Sequence, residues 1–201
     1  MATTTAFSPE EERAILSVLS EFPARDQLII VAALRTGFRV SELLSLRIGD
    51  VWAGNAPRSS ITIERRHLKG GRGPHCRNVR SRTVPVTGTV RDALAAYVAP
   101  RVACGASPDA PLFLSRSKGG ALSRWQANAI LARVLERAGI AADRCHGMHS
   151  CRKTLARSLY QRTGHDLRLV QRVLGHRYSS TTESYLAIAD GEAFSALLAL
   201  G

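Results

Sequence analysis

The 201-residue chain is 45% hydrophobic and 22% charged, the balance of a soluble globular fold and not of a chain buried in lipid. Twenty-eight basic against sixteen acidic residues leave a net charge of +12, which disfavours cationic ligands and favours polyanions, nucleic acid above all. No apolar run reaches bilayer-spanning length, and Met1-Ala2-Thr3-Thr4-Thr5 lacks the basic and apolar regions of an export signal, so the expected location is the cytoplasm, with no membrane partner. Lys69, Lys118 and Lys153 are the lysines; the other basic residues are arginines, whose planar fork suits phosphate oxygens. Cys76, Cys104, Cys145 and Cys151 have no paired spacing and read as reduced thiols. Cys145-His146-Gly147-Met148-His149-Ser150-Cys151 lacks a second cysteine knuckle, so no metal site and no cofactor are expected.

In chain order, Ser8-Pro9-Glu10-Glu11 predicts a capped helix start, with Ile15, Leu16, Val18 and Leu19 as its apolar stripe. A second helix is predicted over Arg25 to Thr36, ending at Gly37, and a short third one over Val40 to Leu46. Ser60 to Glu64 and Arg82-Thr83-Val84-Pro85-Val86 alternate like strands. The Gly- and Arg-rich stretch from Lys69 to Ser81 reads as a long hairpin tip between them, and a strand near Val51-Trp52 would complete a small antiparallel sheet. Thr89 to Ala99 returns to helix, and Pro100 to Pro111 reads as an internal loop. Ser123-Arg124-Trp125-Gln126 is a second capping box, opening a helix to Gly139. Further helices are predicted over His149 to Thr163, Asp166 to Leu174, Thr181 to Ile188 and Glu192 to Leu200.

Four pieces stand out together. Thr36-Gly37-Phe38-Arg39-Val40-Ser41-Glu42 places Arg39 at the mouth of a helix, with Glu42 one turn on. Lys69 is a lone lysine on the arginine-rich hairpin. His149-Ser150-Cys151-Arg152 aims an imidazole and a guanidinium the same way. Leu174-Gly175-His176 is followed, nine residues after His176, by Tyr185. In this ordered set the chain resembles the catalytic domain of the tyrosine recombinases, the phage integrase family, over roughly its whole length.

The resemblance implies an α+β, mainly α fold: one helical catalytic domain over residues 1–201 with a small three-stranded antiparallel sheet. It implies Arg39 and Arg152 as a phosphate-clamping pair, Lys69 as the hairpin lysine, His149 and His176 as the active-site histidines, Glu42 as a supporting acid and Tyr185 as the nucleophile. It also implies double-stranded DNA as substrate, a covalent 3′-phosphotyrosine, and a homo-tetramer on DNA built from chains that are monomers in solution. Arg72, Arg77, Arg80 and Arg82 on the hairpin are candidate DNA contacts.

The chemistry asks for the same residue types. Two arginines can hold the non-bridging oxygens as they gain charge, without a metal. A phenol needs that positive field or a nearby base to attack at neutral pH. A hairpin lysine can protonate the leaving 5′ oxygen, and histidines can shuttle the nucleophile's proton or bond the phosphate. Glu42 would anchor Arg39 or His149. Tyr97, Tyr160 and Tyr178 are rival nucleophiles, but Tyr185 has the family spacing.

The chain departs from the family pattern in two places. Arg82 lies thirteen positions after Lys69, farther than in the usual hairpin, and no separate N-terminal core-binding domain is expected before Arg39, as in a minimal recombinase or a catalytic fragment. The alternatives are a nicking-closing enzyme of the type IB topoisomerase kind and a DNA-binding regulator descended from a recombinase. A single-strand binder would need aromatic stacking platforms, and aromatics make up 5% of the chain.

Overall fold

The computed structural model describes residues 4–68, 81–115, 120–141, 146–175 and 182. Helix α1 (Pro9–Val18) begins with the predicted box: the Glu11 amide donates to Ser8 Oγ at 3.1 Å, and the Ser8 amide donates to the Glu11 carboxylate at 2.7 Å. The segment before it lies against helix α7 (Met148–Arg162). Phe7, fully buried, donates its amide to Thr154 Oγ1 at 2.8 Å, and Lys153 Nζ donates to the Thr4 carbonyl at 2.6 Å.

Helix α2 (Ala24–Thr36) is the centre of the core. Leu28, Ile29, Ile30, Ala33 and Leu34 are buried on all its sides, the pattern of a helix surrounded by others. It packs on α7 and on α5 (Gly88–Ala103). At about 2 kcal/mol for each buried Leu or Ile, its apolar side chains are a main source of the fold's cohesion. Asp26, also buried, carries Arg25 and Arg133 at 2.7 and 3.1 Å, and so ties α2 to α6 (Arg124–Arg137).

Helices α3 (Val40–Leu44) and α4 (Ile48–Val51) follow. The fold is mainly helical with small antiparallel pairings, but the expected third strand joins a different partner. Among the described residues, β1 (Trp52–Ala53) pairs with β2 (Ala56–Pro57) across a turn at Gly54, which has φ 55. That tight turn satisfies β1 locally. The other pair, β3 (Ser60–Ile63) with β4 (Arg82–Pro85), sets Ile61 opposite Val84 and Ile63 opposite Arg82. Arg82 and Val84 face inward on β4 while Thr83 and Pro85 face out.

Helix α5 runs past the predicted end, through Pro100 to Ala103, with the Pro100 carbonyl accepting from the Cys104 amide at 3.0 Å. A proline lacks a donor but can still accept, so the last turn survives. Helix α6 has its Ser123–Gln126 box as predicted. Its Asn128 Oδ1 accepts from the Met148 amide at 3.0 Å and so caps α7 from a neighbouring helix. Helix α8 (Leu167–Leu174), capped by Asp166, packs on α7 through Val170 and Leu174. The predicted hairpin tip and the predicted helices over Thr181 to Ile188 and Glu192 to Leu200 lie outside the described residues, Thr182 apart. Among the described residues no helix is long and apolar enough to cross a membrane.

Gly37 ends α2 in the left-handed region at φ 61, where a Cβ would lie 2.9 Å from Leu155 Cδ2 and 3.0 Å from Leu174 Cδ2. Gly139 has φ 68 with open space around it. Gly139→Ala should therefore cost only left-handed strain, about 1 kcal/mol, and Gly37→Ala roughly 2–4 kcal/mol because packing strain adds. Urea unfolding of the two variants measures the difference.

Candidate active site

Arg39 stands at the N-cap of α3 with extended backbone. A guanidinium cannot accept a hydrogen bond, so the reciprocal half of a capping box is closed to it. Glu42 supplies the other half: its Oε2 accepts the Arg39 amide at 2.8 Å, while its Oε1 accepts Arg39 Nη1 at 2.7 Å. One carboxylate thus fixes both the backbone and the side chain of Arg39. Glu42 is fully buried and Arg39 keeps about a quarter of its side chain (26%) exposed.

Arg82, expected among the DNA-contacting arginines, is instead an interior residue, 9% exposed. The inward alternation of β4 puts it there. Its Nη1 donates to the Leu174 carbonyl at 2.7 Å, and its Nη2 donates to the Gly37 carbonyl and to Glu42 Oε2, each at 3.2 Å. Its guanidinium lies over the Phe38 ring, 4.5 Å from the centroid. Burial pulls its pKa down to about 10 against the pull of Glu42, with Arg152 and Arg39 adding to the fall, so it stays cationic at neutral pH.

Arg152, 1% exposed on α7, donates Nη2 to the Leu174 carbonyl at 2.7 Å and Nη1 to the Gly37 carbonyl. Arg82 and Arg152 therefore share the same two acceptors, the end carbonyls of α2 and α8. Helix ends leave such carbonyls unmatched and carry partial negative charge, which guanidinium groups satisfy on both counts.

His149 occupies the first turn of α7, three residues before Arg152. Partial loss of hydration, then the like charges of Arg152, Lys153 and Arg39, push its imidazole from 6.5 down to about 4, although the ring keeps an exposed edge. It is a neutral group at physiological pH, able to accept a proton. Arg39, Glu42 and Arg152 thus come together with Arg82, and His149 lies within electrostatic reach of Arg39 and Arg152. Lys69, Arg72, Arg77, Arg80, His176 and Tyr185 lie outside the described residues, as does the rival Tyr178. Tyr97 Oη accepts from Arg101 at 3.3 Å, and the Tyr160 ring sits 4.8 Å from that of His165. Cys151 points into the core, and burial holds its thiol up at about 12. His146 stacks on Phe7 at 4.7 Å.

The phage integrase family model matches residues 6–192, spanning every residue of this cluster. The chain belongs to the phage integrase family. It is 34% identical to a tyrosine recombinase XerC of Ralstonia pickettii over 193 residues, covering 91% of this chain and 56% of that protein. With a tyrosine recombinase XerA of Pyrococcus furiosus it shares 27% over 183 residues, 91% of this chain and 57% of the relative. Among solved structures, the XerH site-specific recombinase bound to its difH substrate superposes with TM-score 0.71 at 26% identity, over 98% of this chain and 55% of that one. The XerA recombinase structure gives 0.72 at 25%, over 96% and 64%. The chain spans about half the length of the curated relatives it matches.

Because the folded protein holds His149 neutral while the unfolded chain protonates it below 6.5, the native state binds fewer protons between pH 6.5 and 4. Stability should therefore fall as pH drops through that window, and His149→Gln should remove that part of the slope. Proton NMR of the His149 ring should titrate near pH 4; a midpoint near 6.5 would contradict the electrostatic picture.

Proposed function

We propose that this chain is the catalytic domain of a site-specific recombinase that cleaves and rejoins duplex DNA through a 3′-phosphotyrosine. The observation that carries this reading is the placement of Arg39 and Arg152 around the Glu42–Arg82 anchor, with a neutral imidazole beside them. Three guanidinium charges against one carboxylate leave a cationic site suited to a phosphodiester gaining charge. Tyr185 Oη attacks the scissile phosphorus, forming the phosphotyrosine and releasing the 5′ oxygen. Arg39 and Arg152 hold the non-bridging oxygens. Arg152 is 1% exposed, so its part in this reading requires that the site open around it. Neutral His149 takes the tyrosine proton or bonds the phosphate, His176 takes the other of these two roles, and Lys69 protonates the leaving oxygen. Rejoining is the reverse attack by a 5′ hydroxyl.

Relatives bound to DNA substrates, and the +12 charge, support duplex DNA as partner. Assembly as a tetramer on DNA, from chains that are monomers when free, belongs to the same reading, as does action at the nucleoid. Arg72, Arg77 and Arg80 are proposed DNA contacts.

The deciding experiment offers the chain a pool of nicked duplexes of random sequence and captures covalent protein–DNA adducts after denaturation. Adducts should form, and Tyr185→Phe should abolish them while DNA affinity stays nearly unchanged. A Tyr185→Phe chain that still forms adducts, with Tyr178→Phe inactive, would overturn the assignment. On a recovered duplex, Lys69→Ala should cleave slowly, and a 5′-bridging phosphorothiolate should restore its rate because sulfur leaves without a proton. Equal defects on both substrates would make Lys69 a DNA contact only.

A further inference from the structure

Arg82 is placed like no surface cation. It lies at the first position of β4, opposite Ile63, with its guanidinium in the interior and bonded to three acceptors from three parts of the chain. Burying a charge this way is a poor route to stability, since an apolar side chain of similar size usually does as well. Its position beside two further guanidinium groups adds repulsion, which a purely structural residue would have no need to bear. What the arrangement does achieve is geometric. Arg82 adds a side-chain donor, beside the Arg39 amide, on Oε2 of the carboxylate whose Oε1 holds Arg39, and so further restrains a torsion that is soft by itself. It also fills a second place on each of the two carbonyls to which Arg152 is bonded.

Resting on the recombinase reading, we propose that Arg82 is a positioning residue: it locks Glu42 and the ends of α2 and α8 together and thereby orients both Arg39 and Arg152 toward the scissile phosphate. The planar fork is essential, because an ammonium at the same place cannot reach three divergent acceptors in fixed geometry.

The test uses the full chain, Arg82→Lys and Arg82→Gln, and a nicked duplex recovered as an adduct from the random pool. It is made once with an ordinary scissile phosphodiester and once with a methylphosphonate, which lacks one non-bridging oxygen and its charge. Both variants should form adducts at saturating DNA roughly 10²-fold more slowly than the parent on the phosphodiester, the usual effect of a misplaced oxyanion donor. Their affinity for DNA should be unchanged, since Arg82 is interior. On the methylphosphonate the deficit relative to the parent should shrink to about tenfold or less, because less charge needs the clamp. Equal deficits on the two substrates, a deficit in affinity with no deficit in rate, or loss of cooperative unfolding in both variants would each overturn the proposal. Failure of the parent chain to form any adduct would instead refute the recombinase reading beneath it.

Discussion

The carbonyls of Gly37 and Leu174 close two different helices, and both are directed into the same interior space. An isolated pair of buried helix ends would leave acceptors unmatched and set two partial negative charges near each other. Here each carbonyl receives one N–H from Arg82 and one from Arg152. The energetic requirement of the helix ends and the charge requirement of the arginines are met by the same four bonds. Glu42 and Arg39 are added to this unit through the second nitrogen of Arg82, so α2, α3, β4, α7 and α8 converge on it.

Concentrating cations in a core region has consequences for every titratable neighbour. Glu42 offsets part of the field, and its burial leaves that offset only weakly screened by salt. Arg82 sits over Phe38, whose ring face favours a cation with little water around it. What remains is positive enough to help push His149 down to about 4. The field that would stabilise a negative phosphorane therefore also selects the form of histidine that can accept a proton. Burial contributes most to the lowering of His149, and the neighbouring cations add to it.

Much of this was legible in the sequence. The Ser8 and Ser123 capping boxes, the α2 stop at Gly37 and the α8 stop at Gly175 are local signals, and local hydrogen bonds decide them. The Arg39–Glu42 pair was visible as an i, i+3 spacing. Three features were harder. The extension of α5 through Pro100 depends on one carbonyl finding a donor beyond the proline, which no propensity encodes. Arg82 ends an arginine-rich stretch and so reads as a DNA contact, yet its own strand carries the opposite message. In Arg82-Thr83-Val84-Pro85-Val86 the period of two places Arg82 on the face of two valines, both of them buried. The cap that Asn128 gives to α7 had no sequence signal, since it joins residues on separate helices.

The described pieces of the family pattern, Gly37 to Glu42, Arg152 and Leu174-Gly175, look like separate motifs along the chain and pack together. A Cβ on Gly175 would lie 3.2 Å from Arg82 Cδ, and one on Gly37 would press Leu155 and Leu174. Gly175 thus does more than allow a left-handed turn: it leaves room for the stem of Arg82. The glycine before Phe38 lets the end of α8 approach the end of α2 closely enough for one guanidinium to span both carbonyls. The contacts among Gly37, Arg82, Arg152 and Leu174 therefore join parts of the chain that lie far apart in sequence. Two helix ends and two arginines, separate in the sequence, meet at one place in the fold.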